Sequence, residues 1–173
     1  MNKDIPREVG PWGGNKGKAW DDGRLQGRII GIDVHVGNGV IHRIHYRYES
    51  EDYCDSSPVV LSNKHGGDGA TAIYRIELEK DMKADHKNKS KNKCTQEELV
   101  GISGFYGAFD GNCCGEYQVV RSISFYTDKG KYGPYGTEIG TFFNSPACTN
   151  AKVVGFHGRS GEYLDAIGVH VEY

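Results

Sequence analysis

Apolar residues recur at every second position in short runs, and the runs are separated by turns rich in glycine. In residues 28–36, Ile30, Ile32, Val34 and Val36 share one side of an extended chain, because successive side chains of a strand point to opposite faces. Gly37-Asn38-Gly39 then supplies a hairpin turn, and the return run presents Ile44, Tyr46 and Tyr48. The period recurs over residues 72–79 (Tyr74, Ile76, Leu78) and 118–128 (Val119, Ile123, Phe125). It returns in the last residues, with Ile167, Val169, Val171 and Tyr173 on one face and Gly168, His170 and Glu172 on the other. Shorter strands are expected over residues 100–106, 141–143 and 152–156. No segment carries a helical period, so the pattern predicts an all-β chain in one domain. Glycine contributes 25 of 173 residues, about twice the usual share of ~7%, and without a collagen repeat it serves the turns. A chain of this length can bury a real core.

A formal charge of −2 and a pI near 6.4 give no overall reason to expect nucleic acid or another polyanion as partner. No apolar run approaches the ~20 residues of a membrane-crossing helix, so no membrane insertion is expected. The start, MNKDIPREVG, has no apolar region like that of a signal peptide. It fits a protein made without one, or a mature form with an added Met1. Residues 1–9 are polar and are expected to form a flexible arm. The five cysteines, Cys54, Cys94, Cys113, Cys114 and Cys148, form no C-x-x-C pair, and no histidine spacing completes a metal site. Neither a metal nor another cofactor is expected. All five fall in turn-rich or polar surroundings, which suits disulfides between loops and a secreted protein; reduced surface cysteines in a cytosolic protein are the other reading. Residues 80–94 hold Lys80, Lys83, Lys87, Lys89, Lys91 and Lys93 with almost nothing apolar, the composition of a mobile loop.

Chemistry concentrates near the end of the chain. Gly158-Arg159-Ser160-Gly161 reads as a turn, followed by Glu162-Tyr163-Leu164-Asp165 and then the last strand. A glycine-rich turn leaves successive backbone N–H groups outside any ladder, and it sets the Asp165 carboxylate beside them as a strong acceptor. Such a cluster suits a ligand with adjacent hydroxyls, each both donor and acceptor, and sugars are such ligands. Asp165 alone would more simply be a turn residue capping its own backbone.

The segment Gly161-Glu162-Tyr163-Leu164-Asp165 resembles the G-x-x-x-D sugar loop of the jacalin-related lectins. GPWGGNKGKAWDDG (residues 10–23), ISGFYG (102–107) and VVRSISFYTDKGKYGPYGTEIGTFFN (119–144) fit the same family in the same order. The resemblance implies a lectin domain over residues 10–173, folded as a β-prism I of three four-stranded antiparallel Greek-key sheets. A weak echo among IGIDVHV (30–36), SISFYT (122–127) and IGVHV (167–171) agrees with it. It also implies a sugar held between the 161–165 loop and a glycine near the start. The family's GKxW segment aligns with Gly17-Lys18-Ala19-Trp20, so that glycine is Gly17. By resemblance the Glu162 and Tyr163 N–H groups donate to O5 and O6, Asp165 accepts from the O4 and O6 hydroxyls, and the Gly17 N–H meets O3. Gly161 and Leu164 complete the loop, and Phe105 and Tyr106 either flank it or belong to the core. Gly17 lies in an unbroken GPWGGNK run, as in the mannose-binding branch, so mannose- or glucose-type glycans are expected. A second loop of this kind fails in the first hairpin, where Ile41 stands in the acid's place. Multivalency then calls for a homo-oligomer.

Two other functions compete. A glycoside hydrolase using Glu162 and Asp165 is disfavoured, because both acids lie in one tight turn and nothing raises one of them as a proton donor. No catalytic residue is therefore assigned. The other is an extracellular matrix or scaffold protein that binds acidic or sulfated glycans through Lys83, Lys87, Lys89, Lys91 and Lys93, against the plainer reading of a solvated loop. Asn88-Lys89-Ser90 is a glycosylation acceptor if the chain is secreted. His35, His42, His45 and His170 are expected to face solvent from their strands.

Overall fold

A computed structural model describes residues 5–50, 59–78, 80–83, 93–110, 117–146 and 150–173, and every regular element among them is a β-strand. The chain begins with β1 (Arg7–Gly13), β2 (Lys18–Asp21), β3 (Gly27–Gly37), β4 (Val40–Ser50), β5 (Val59–Leu61), β6 (His65–Gly66) and β7 (Ala72–Glu77). A short ribbon of β8 (Lys80–Lys83) and β9 (Lys93–Gln96) follows. The chain continues through β10 (Leu99–Ala108), β11 (Gln118–Thr127), β12 (Lys131–Gly136) and β13 (Thr141–Asn144), and ends with β14 (Lys152–Ser160) and β15 (Leu164–Glu172).

The strands form three main antiparallel sheets. One has the order β12-β11-β10-β13, and another the order β5-β4-β3-β7 with β6 added beside β4. The last has the order β1-β15-β14-β2, so the first and final strands lie side by side. Strands β4, β11 and β15 face one another across the middle. Their inward side chains, Ile44, Tyr46, Ile123, Phe125, Ile167 and Val169, fill the space between the sheets and are buried. Each such burial contributes about 1.5–3 kcal/mol. The architecture is a β-prism, with two sheets of the expected four strands and one of five.

Several local expectations need correction. Arg7, Glu8 and Val9, expected in a loose arm, pair with Val171, His170 and Val169, because β15 would otherwise present an unpaired edge; residues 1–4 lie outside the described part. The β3–β4 ladder has a bulge between Ile29 and Gly31 that shifts the alternation, so Ile29 is in the core and Ile30 only half-buried. Tyr74 sits on an exposed rim, tilted against Tyr135 at 5.0 Å between ring centroids. Part of the lysine-rich run is ordered as the β8–β9 ribbon, with Lys83 opposite Lys93, since backbone pairing needs no apolar side chain. Lys87, Lys89, Lys91 and Asn88 lie outside the described residues, as do Cys54, Cys113, Cys114 and Cys148. Cys94 stands opposite Met82 in the ribbon.

His42 and His170 do not face solvent. Both are buried, His42 against the Gly37 carbonyl at 3.0 Å and His170 against the Asp21 carboxylate at 2.7 Å. The outer side of β15 is covered in the same way, with the His157 ring lying over Gly168, where a Cβ would come within 2.4 Å of it.

Candidate functional site

The β14–β15 hairpin carries the apex. Gly158, Arg159 and Ser160, expected in a turn, are strand residues paired with both β15 and β2. The turn itself is Gly161-Glu162-Tyr163, closed by the Gly161 N–H donating to the Tyr163 carbonyl at 3.0 Å. Among the described residues, the N–H groups of Glu162 and Tyr163 meet no acceptor. Two donors at the apex are thus left without a protein acceptor among the described residues.

Asp165 follows at the start of β15, and its carboxylate turns in beneath the apex. It is 0% exposed, yet neither oxygen has a hydrogen-bond partner. Burial pushes its pKa up, while the Tyr117 hydroxyl and the Arg159 guanidinium pull it down. The Tyr117 hydroxyl is close enough to sense the charge but does not make a well-formed hydrogen bond with it. Its own pKa is pushed up to about 12, first by burial and then by the Asp165 carboxylate.

Gly17 packs directly on this carboxylate. Its φ is +67°, and a Cβ there would fall 2.3 Å from Asp165 Oδ2 and 2.7 Å from the Ser160 carbonyl, so only glycine fits. The segment is tied down from two sides. Arg159 donates from Nε to the Lys16 carbonyl at 3.0 Å and from Nη2 to the Gly17 carbonyl at 3.1 Å, and the Gly14 N–H donates to the Asp165 carbonyl at 2.8 Å. Gly161 completes the cluster: a Cβ on it would be 3.7 Å from Gly17 Cα and 3.9 Å from Asp165 Oδ2. The structure therefore brings Gly17, Gly161, Glu162, Tyr163 and Asp165 together. Leu164 is different: its side chain is buried in the core and anchors the loop from below.

Tyr163 is the aromatic wall. Its ring centroid lies 4.7 Å from Phe109, 6.1 Å from Tyr117 and 4.9 Å from His42. Phe105 and Tyr106 do not flank it. Phe105 packs edge-on against Phe142 at 5.4 Å, and Tyr106 tilts toward Phe143 at 6.4 Å. The flanking aromatics are Phe109, just past the end of β10, and Tyr117, just before β11. Both lie just outside the alternating runs, so no local period marks them. Arg159 is a strand residue rather than a turn residue, and an arginine beside an acid-bearing loop is the signal the sequence carries for it. Of the lysines considered as a patch, Lys83 and Lys93 belong to the separate β8–β9 ribbon. Among the described residues no group of three or more His, Cys, Asp or Glu side chains is placed to hold a metal.

Backbone donors at a glycine-lined apex, a carboxylate without a partner and an aromatic wall, carried on three antiparallel sheets closed into a prism, define a β-prism lectin domain. The chain belongs to the jacalin-like lectin family, whose domain profile matches residues 9–170. It is 47% identical over 169 residues to an agglutinin of Castanea crenata, covering 98% of this chain and 48% of that protein. It is 44% identical over 174 residues to jacalin-related lectin 3 of Arabidopsis thaliana, covering 100% of this chain and 25% of that protein. The chain thus spans about half and about a quarter of these relatives. Among solved structures, the mannose-binding lectin from champedak superimposes with a TM-score of 0.76 at 35% identity, covering 98% of this chain and 99% of that one.

Proposed function

We propose that this lectin domain binds mannose- or glucose-type glycans without catalysis, at a site made by Gly17 and the Gly161–Asp165 loop. The observation that carries the reading is the Asp165 carboxylate, buried beneath the apex with neither oxygen hydrogen-bonded. An unsatisfied buried acceptor costs about 1–3 kcal/mol, more when charged, and a ligand with adjacent hydroxyls supplies the missing donors. The Glu162 and Tyr163 N–H groups serve the ring and hydroxymethyl oxygens, and the Gly17 N–H serves a further hydroxyl. The mannose-binding name of the champedak neighbour supports the choice of sugar. With one such site per chain, crosslinking would come from a homo-oligomer or from joined copies.

Titration with methyl α-mannoside and methyl α-galactoside, in wild type and Asp165→Ala, tests this. Saturable mannoside binding that weakens at least ~100-fold in Asp165→Ala is expected, since charge-assisted hydrogen bonds contribute about 1.5–3 kcal/mol each. A preference for galactoside would overturn the sugar assignment. Unchanged binding in Asp165→Ala would remove the site.

A further inference from the structure

Arg121 breaks the pattern of its strand. On β11, Val119, Ile123 and Phe125 are buried, and residue 121 falls in phase with them. The ladder accommodates it with a bulge: Phe105 pairs with Ser122 and Tyr106 with Val120, so Arg121 is the extra residue on its strand. A bulge re-aims a side chain, and this guanidinium reaches the turn between β3 and β4, which belongs to another sheet. Its Nε donates to the Gly39 carbonyl at 3.1 Å and its Nη1 to the Ala108 carbonyl at 2.6 Å. The Arg121 carbonyl in turn accepts from the Thr137 N–H at 2.9 Å.

Arg121 is 6% exposed, and the partners of its charge are two neutral carbonyls. Taking a guanidinium out of water costs on the order of several kcal/mol, and an apolar side chain would fill the same space without that cost. What the arginine adds is its fork: N–H groups on one rigid plane hold two carbonyls at a fixed separation. Each of those carbonyls belongs to an element that carries a ring of the apex. Ala108 is followed at once by Phe109, whose ring centroid lies 4.7 Å from that of Tyr163. Gly39 closes the turn that leads into β4 and His42, whose ring lies 4.9 Å from Tyr163 and meets it edge-on. Tyr163 itself belongs to the turn of the β14–β15 hairpin, in the remaining sheet. One side chain thus ties together the two elements whose rings touch Tyr163.

We propose that Arg121 is a positioning residue of the sugar site: by gripping the Gly39 and Ala108 carbonyls it fixes His42 and Phe109 relative to each other, and these two rings hold Tyr163 and its N–H in the binding geometry. The proposal rests on the Asp165 site being the sugar site. A turn ordered before the ligand arrives has less freedom to lose on binding, so the clamp acts on affinity through preorganisation.

The test is NMR titration of the whole chain with methyl α-mannoside in wild type, Arg121→Met, Tyr163→Ala and the double variant. Arg121→Met should weaken binding about 5-fold in the wild-type background and less than about 2-fold in Tyr163→Ala, where no ring is left to hold, as expected of coupled neighbours. Without sugar, Arg121→Met should shift the ring resonances of Tyr163 and Phe109 and leave those of Trp20 in place. Arg121→Lys should not restore the affinity, because an ammonium is a point charge without the fork; full recovery would assign the effect to charge and overturn the clamp. Equal weakening in both backgrounds would make Arg121 a general staple of the fold, and it would overturn the proposal while leaving the Asp165 reading standing. Unchanged affinity in Arg121→Met does the same. If neither Arg121 variant folds, Phe109→Ala decides, since that ring is 39% exposed and its loss spares the core. Weaker mannoside binding in Phe109→Ala that disappears as an effect in Tyr163→Ala supports the clamp, and wild-type affinity overturns it. If folded wild type binds no methyl α-mannoside, both readings fall.

Discussion

Asp165 strains the fold at neutral pH and serves the proposed ligand in the same ionisation state. Its carboxylate is buried without a partner and its pKa is raised by that burial, so the folded state holds the proton more tightly than the unfolded chain does. Acidification through the raised pKa therefore relieves a penalty on the fold. It also converts an acceptor of several hydroxyls into a neutral acid, and sugar affinity should fall over the same interval. Mannoside titrations from pH 7 downward should show this loss beginning above the range of an ordinary aspartate, and Asp165→Asn should bind weakly at every pH. Thermal scans at neutral pH should find Asp165→Asn more stable than wild type; a lower Tm would mean the charge is satisfied in a way the structure does not show. Arg159 tests the same site from outside. Its paired hydrogen bonds to the Lys16 and Gly17 carbonyls orient the Gly17 N–H, and its charge opposes the rise in the Asp165 pKa. Arg159→Met should weaken mannoside binding about 10-fold, about 1.4 kcal/mol. It should also move the acid loss of binding to higher pH, which a purely structural role would not do. Arg159→Lys should restore the pH midpoint more than the affinity, because an ammonium keeps the charge without the fork.

At the scale of elements, the outer face of the β3–β4–β7 ladder is built around one carboxylate. Asp33 is buried and receives Arg47 Nη1 at 2.9 Å, His45 Nε2 at 2.8 Å and Arg75 Nε at 3.2 Å. Burial alone would raise its pKa, but hydrogen bonds from Arg47, His45 and Arg75 outweigh it and bring it down to about 2. A lowered carboxylate stabilises the fold above its unfolded pKa, and that contribution is lost as pH falls toward 2. A shift from 3.8 to about 2 corresponds to roughly 2 kcal/mol. Urea unfolding of wild type and Asp33→Asn should therefore differ by about that much at pH 7 and converge only as the pH falls to about 2. A constant difference across this range would rule out the linkage. This ladder also shows what the sequence could reveal. The alternation of Ile32, Val34, Ile44 and Tyr46 was legible because the sheet buries one face. The bulge at Ile29 and Gly31 was not, because an extra residue changes phase without changing composition. The burial of His42 and His170 was hidden for another reason: their partners, the Gly37 carbonyl and Asp21, are set by tertiary contact. At the apex, Gly17 and the 161–165 loop were readable from local pattern and family resemblance. Phe109 and Tyr117 lie beside strands of another sheet, and no local period marks them.

The whole molecule is held by a core that belongs to no single sheet. Phe125 on β11, Tyr46 on β4 and Ile167 on β15 are all fully buried in one cluster, so no sheet keeps an apolar face of its own once the others are removed. Unfolding should then be a single cooperative event. The two tryptophans are placed to show it. Trp12 on β1 stacks on Phe143 of β13 at 5.2 Å, and Trp20 on β2 stacks on His65 of β6 at 3.5 Å. Each therefore spans a seam between the sheet of the two chain ends and one of the other sheets. Fluorescence of Trp12→Phe reports the Trp20 seam, and that of Trp20→Phe reports the Trp12 seam. Under denaturant the two midpoints should each coincide with the loss of far-UV circular dichroism measured on the same variant. Adding Phe125→Ala, which removes a ring from the central strand of the β10–β13 sheet, should cost about 3–5 kcal/mol and lower the stability reported at both seams by the same amount. If that sheet folded as a unit of its own, the Trp12 seam would open early while the Trp20 seam kept its midpoint. Equal loss at both seams is what a shared core requires, and it also explains how an apex assembled from separate sheets can be held firmly enough to keep a carboxylate buried without a partner.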